Sequence, residues 1–389
     1  MKLTKLSIFC AAALLSVACN SNAPAPAAEA EAAVKTVIEA GEQAPLADPG
    51  QKNFGGMHAD PKDTARINAE RRHRMDEMNR LRTVSFEELS MSDPYIYPDP
   101  ETKTYYLTSS GGRMWKSKDL NTWEGPHNII DIAGSWLEKA GFAAAAEIHK
   151  IGDYYYYAGT WSDHSDLIQQ VPRRYNVPHN QTVLLRSKNV EGPYELFDEN
   201  PDHNYQPRED DCIDGTLYQE DDKIYMVYVH EWTQIIDGTI EYVELSADLK
   251  KTISKPVCIF RASENPSVGE MNSLGEATFG RKMPGWVTDG PQLFRTKTGK
   301  LGMLWSSWGK ERYFQAVCYS ESGKISGPWV QEPAPFLANN SGHGMLFTTF
   351  DGTLLYSVHH SEGKGPRKPQ LWTVDLSGDK LVLGKKIKG

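Results

Sequence analysis

Acidic side chains recur at one phase of a repeated pattern in this chain. Asp214 precedes a short strand-like run at 216–218, an acidic turn follows at 219–223, an apolar return strand occupies 224–229, and His230, Glu231 and Trp232 leave it. Neighbouring strands of a hairpin run antiparallel, so the residue entering the first and the residue leaving the second share an edge. Asp214 and Glu231 are therefore expected to be neighbours. The same arrangement recurs at 94–110, 146–160, 215–229, 291–307 and 344–360, with turns at 99–103, 151–153, 220–223, 296–300 and 350–352. Just ahead of the five first strands stand Asp93, Ala145, Asp214, Asp289 and His343. A single Asp-Gly or Asp-Pro pair marks only a turn. Three carboxylates at one phase of a repeat do more: brought together they repel, their pKa values spread, and the group suits acid–base chemistry or the holding of a cation.

Such convergence needs a fold that closes on itself. Repeated β-hairpins without helical periods between them point to radial repetition, an all-β five-bladed β-propeller over 87–389. Each first strand would be the innermost of its blade, and the acids would ring the axis at one mouth. The second strands end at the same mouth with Ser109-Ser110, Thr160-Trp161, His230-Glu231-Trp232, Ser307-Trp308 and His359-His360. Trp161, Trp232 and Trp308 fall in register, and flat aromatic walls over an acidic floor suit a sugar ring, with its C–H faces and rim of hydroxyls.

The rest of the chain sets limits. A net charge of -9 over 389 residues, with no basic run, argues against nucleic acid or an anionic membrane as partner, and 39% apolar residues suffice for a core. Residues 1–19 carry Lys2 and Lys5, then a short apolar run ending in Ala18-Cys19. This is the layout of an exported lipoprotein with Cys19 as the lipid-bearing residue, held at the membrane only by that anchor, in the periplasm or at the cell surface. Residues 20–59, with an Ala-Pro run, read as a tether, and 60–86 as a helical segment begun by Asp60-Pro61. Cys212, Cys258 and Cys318 lack metal-ligand spacing and allow one disulfide with one thiol left over. A monomer is expected.

These residues resemble glycoside hydrolase family 43, five-bladed propellers that cleave arabinose-, xylose- or galactose-containing polysaccharides with inversion. The resemblance spans roughly 90–372. Ser92-Asp93-Pro94-Tyr95-Ile96-Tyr97 resembles the segment of the general base, Cys212-Ile213-Asp214-Gly215-Thr216 that of the Asp which tunes the acid, and Val287-Thr288-Asp289-Gly290-Pro291 that of the general acid. Segments 146–150, 117–123 and 342–345 are also similar. The resemblance implies Asp93 as base, Asp214 as pKa modulator, Asp289 as acid, and Glu147, His343 and His359 with the three tryptophans as substrate contacts. It implies no required cofactor; a structural Ca²⁺ held by His343 or through its waters comes from the resemblance alone. Two departures stand out. The usual Trp-Ala-Pro-Glu of the second blade reads Ala144-Ala145-Ala146-Glu147, and the acid position carries Asp where most members carry Glu. Asp is one methylene shorter, about 1.5 Å of reach, so Glu231 is the second choice of acid. The function implied is that of an inverting arabinofuranosidase, arabinanase or xylosidase. The alternative is a carbohydrate-binding propeller without catalysis; a phosphorylase would need a basic phosphate cluster that none of the five openings displays.

Overall fold

The computed structural model describes residues 80–140, 143–169, 176–197, 205–271, 285–309, 312–363 and 365–389. The signal segment, Cys19, the tether and most of the helical segment lie outside the described residues. Where 60–86 enters them, the chain is a strand, β1 (Arg82–Ser85), because Thr83 and Val84 are β-branched and the segment pairs with the edge of β5 (Thr122–Asn128).

The five hairpins form as the turns predict. β2 (Tyr95–Asp99) and β3 (Thr104–Ser109) flank the first turn, β6 (Ala144–Ile151) and β7 (Tyr154–Gln169) the second, and β9 (Cys212–Glu220) and β10 (Lys223–His230) the third. β13 (Asp289–Arg295) with β14 (Leu301–Trp308), and β17 (Ser341–Thr348) with β18 (Leu354–His360), complete the set. Outer strands extend each pair. Blade one has the order β1-β5-β4-β3-β2, with β4 at Arg113–Ser117, and blade two is β6-β7-β8, with β8 at Asn176–Ser187. Blade three adds β11 (Thr239–Leu245) and β12 (Val257–Arg261), blade four adds β15 (Tyr313–Ser320) and β16 (Trp329–Gln331), and blade five adds β19 (Lys368–Asp375) and β20 (Val382–Lys388). The inner strands β2, β6, β9, β13 and β17 touch one another in sequence, and β17 returns to β2. The ring is closed.

What fills the ring follows from strand alternation. Successive residues of β10 point to opposite faces, so Tyr225, Val227 and Val229 pack towards blade four against Met303, Trp305 and Phe314, while Met226 and Tyr228 pack towards blade two against Ala158 and Leu184. Similar clusters lie between every pair of adjacent blades. At the junction of blades five and one, Met345, Phe347 and Leu355 meet Ile96, Leu107 and Trp123. Among the described residues no strand is shared there. Met91 N–H donates to Arg367 O at 3.0 Å, and Ser357 Oγ donates to Pro94 O at 3.0 Å.

Cys212, Cys258 and Cys318 are free thiols, so none of them forms the disulfide that their number allowed. Cys212 and Cys318 are buried in different inter-blade clusters, which keeps their sulfurs apart. Reduction with dithiothreitol should therefore leave the thermal midpoint unchanged; a drop of several degrees in a calorimetric scan would contradict it.

Candidate active site

One conformational device brings the site residues to the axis. Asp93, Ala145, Asp214, Gly290 and His343 all have positive φ, between 45° and 54°. In blades two to five this residue sits in a bulge where the pairing of inner and second strand slips, between Ala144 and Glu147, Ile213 and Thr216, Asp289 and Gln292, and Gly342 and Met345. A left-handed residue at a bulge bends the strand and re-aims its side chain. The carboxylates of blades one and three and the imidazole of blade five are thereby turned to the mouth. Blade four differs: Gly290 takes the left-handed position, so Asp289 lies one residue earlier than Asp93 and Asp214 instead of at their phase. Glycine is needed there, since a Cβ would stand 2.7 Å from the His343 ring.

His343 is the hub. Its Nδ1 lies 3.3 Å from Asp93 Oδ1, 3.4 Å from Asp289 Oδ1 and 3.9 Å from Asp214 Oδ2. Burial pushes its pKa down, but the three carboxylates outweigh that and hold it well above the ordinary histidine value. It is an imidazolium. Asp93 is the reverse case: burial works to raise it, the His343 charge and the His359 hydrogen bond work against burial, and the carboxylate stays below its usual range. His359 Nδ1 sits 3.1 Å from Asp93 Oδ1 and 3.2 Å from its backbone nitrogen, which fixes the side chain from behind.

Asp214 and Asp289 form a coupled pair. Asp214 Oδ2 accepts the Gly290 N–H at 3.1 Å. Burial, then the neighbouring Asp289 charge, raises the Asp214 pKa well above the carboxylate range. Burial would raise Asp289 too, but hydrogen bonds from Asp214, His343 and Tyr313 overcome it and hold it far below that range. Two carboxyls in contact keep one proton between them. The donors on Asp289 favour its ionised form, while burial beside that charge favours the neutral form of Asp214. The sequence expectation had Asp214 as the ionised partner and Asp289 as the protonated one; the directions of the two shifts run the other way.

Glu231 lies where the hairpin places it, at the end of β10, preceding the short helix α1 (Trp232–Ile235), and it is buried. Burial, then the charges of Asp211 and Asp289, raises its pKa well above the ordinary glutamate value. Thr233 Oγ1 is within 3.1 Å of Glu231 Oε2 and 3.0 Å of Asp211 Oδ2.

The aromatic wall is smaller than the sequence suggested. Trp161 is fully buried among Tyr157, Leu137 and Val183, and an indole enclosed on all sides presents no face to a ligand. Trp232 is nearly so, packed with Met271 and Val287, and only Trp308 keeps a partly open face. Glu147 lies past the bulge of β6, lines a small axial cavity together with Asp93, Gly290 and His343, and holds His149 Nε2 at 2.8 Å. Tyr313 went unnoticed in the sequence. It donates to Asp289, stacks on His359 with ring centroids 5.5 Å apart, and meets Trp308 at 5.5 Å. Nothing in the stretch around it distinguishes it.

A calcium ion takes six to eight oxygens. Asp214, Asp289 and His343 offer two carboxylate oxygens and one imidazole nitrogen, all within 4.8 Å of one another. That set by itself supplies fewer donors than a calcium ion takes.

No curated protein matches the chain. Among solved structures it is similar to an endo-arabinase from Bacteroides thetaiotaomicron VPI-5482, at 30% identity and TM-score 0.64 over 74% of this chain and 95% of that one. A thermostable family-43 glycoside hydrolase (19% identity, TM-score 0.60, 78% and 97% covered) and an endo-1,4-beta-xylanase from Bacteroides thetaiotaomicron VPI-5482 (19%, 0.59, 79% and 98%) share the fold. The family model of Glycosyl hydrolases family 43 matches residues 86–375, from the first blade into the last, so the chain belongs to that family and is a glycoside hydrolase.

Proposed function

We propose that the enzyme hydrolyses the arabinofuranosyl linkages of plant-type arabinan with inversion of configuration. The observation that carries the substrate is the 30% identity to the endo-arabinase over nearly the whole of that chain. The ionised Asp93 supports the mechanism. A carboxylate kept charged in a buried setting can take a proton from water, whose oxygen then attacks the anomeric carbon while a carboxylic acid across the site protonates the leaving oxygen. Asp93 and Asp289 both crowd His343 Nδ1, so their facing oxygens are less than about 7 Å apart, at or below the lower limit of the roughly 6.5–9.5 Å of inverting pairs, and the acid partner of Asp93 is to be sought farther from the axis. Trp308 supplies an aromatic surface for the sugar.

Incubation with debranched arabinan and with xylan, followed by proton NMR of the first-formed products, is expected to show arabinose-terminated sugars of inverted anomeric configuration. Retained configuration would sink the mechanism, and xylan cleavage without arabinan cleavage would reassign the substrate. Binding of arabinan without any release would favour the non-catalytic alternative.

A further inference from the structure

We propose that Glu231, and not Asp289, delivers the proton to the leaving oxygen, and that Asp211 positions it. The inference rests on the glycosidase reading above and assigns one of its two catalytic roles.

Geometry carries it. Asp289 is an acceptor on both oxygens: Tyr313 donates to Oδ2, and Oδ1 faces the His343 imidazolium at 3.4 Å. Donors on both oxygens favour the ionised form, the opposite of what a proton donor needs. It is also drawn to the axis, on the same nitrogen as Asp93, where little room is left for a sugar and a water between them. Glu231 stands outside that group. Among the described residues, the carboxylates within 4.0 Å of His343 are Asp93, Asp214 and Asp289, so Glu231 is not captured by the hub. Its reach is one methylene longer than that of Asp289, and it leaves a strand end at the same mouth.

A second carboxyl pair surrounds it. Asp211 and Glu231 flank one hydroxyl, Thr233 Oγ1, whose single hydrogen can serve only one of them at a time. Asp211 is held in place independently: Asn180 Nδ2 donates to its Oδ1 at 2.6 Å, its N–H donates to Gln234 Oε1 at 2.7 Å, and its carbonyl accepts the Glu231 N–H at 2.8 Å. Asp211 thus fixes both the backbone and the electrostatic setting of Glu231. Burial, then the neighbouring Asp211 and Asp289 charges, favours the protonated form of such a carboxyl, as a proton donor requires. The proton balance closes simply. Water loses a proton to Asp93 and its oxygen bonds to the anomeric carbon, the bond to the leaving oxygen breaks with its electron pair, and that oxygen takes the Glu231 proton. Exchange with solvent then resets both carboxyls.

The test compares leaving groups, since a phenolate needs no proton and an alkoxide does. With 1,5-α-arabino-oligosaccharides, Glu231→Gln should lower kcat by roughly 10²–10⁴-fold, while 4-nitrophenyl arabinosides lose less than about tenfold. Asp289→Asn should depress both substrates by a similar factor. Asp211→Asn should move the alkaline limb of the kcat pH profile to lower pH, because removing a negative neighbour lowers the pKa of the donor; a purely structural role would scale the profile without moving it. Each variant serves as its own folding control through the ratio of the two substrates. Selective loss on oligosaccharides in Asp289→Asn, or equal loss on both substrates in Glu231→Gln, overturns the assignment. Failure of the wild type on every arabinoside would instead remove the arabinan reading on which this assignment rests.

Discussion

Asp93→Asn is expected to lower kcat by roughly 10³–10⁴-fold on oligosaccharides and on aryl glycosides alike. Both substrates need an activated water, so no leaving group can rescue the loss of the base. The substitution is isosteric, and the backbone N–H of residue 93 keeps its contact with His359 Nδ1, so the left-handed backbone at residue 93 and the inter-blade packing should survive. Steady-state rates for the two substrate types, read beside a circular-dichroism melt, check this. A variant that folds and retains activity within about tenfold of wild type would move the base role away from Asp93.

His343→Gln should have the largest effect on the fold. The imidazolium faces three carboxylates, and removing one partner of a buried charge cluster costs about 3–5 kcal/mol, because the remaining charges are left uncompensated. The direction with pH follows from its raised pKa. The proton that His343 holds more tightly in the folded state stabilises fully below the unfolded value of 6.5, and this contribution is lost as pH rises through the elevated folded value. The gap between wild type and variant should therefore be widest in mildly acidic solution and narrow in alkali. Urea denaturation at a series of pH values measures it; a gap below about 1 kcal/mol at every pH would show that the cluster balances its charge without His343.

The turns made the fold legible. Asp99 to Thr104, Ile151 to Tyr154 and Glu220 to Lys223 are short connections between alternating strands, and turn chemistry acts over a few residues, which a sequence displays. The phase at the mouth was harder to read. It depends on which residue adopts positive φ in each bulge, and Ala145 does so without any residue preference to announce it. The one-residue displacement of Asp289 comes from Gly290 taking that role. Trp161 illustrates a different limit: strand register gave its position, but burial is decided by what packs over it, here Leu137 and Val183 from distant parts of the chain. The partners that set protonation, Tyr313 on Asp289 and Thr233 between Asp211 and Glu231, belong to other strands or the next turn, and their roles emerge only once the axis is assembled.

Blades one and five meet through side chains and a few isolated hydrogen bonds, and each keeps all its own strands. The first and last strands, β1 and β20, are therefore both outermost edges of adjoining blades, and Lys388 Nζ donates to Asn121 Oδ1 across the junction. Chain order and ring order are separable in such a molecule. Joining its ends and opening a connection elsewhere would leave every sheet intact, a freedom denied to rings whose final sheet borrows a segment from the opposite end of the polypeptide.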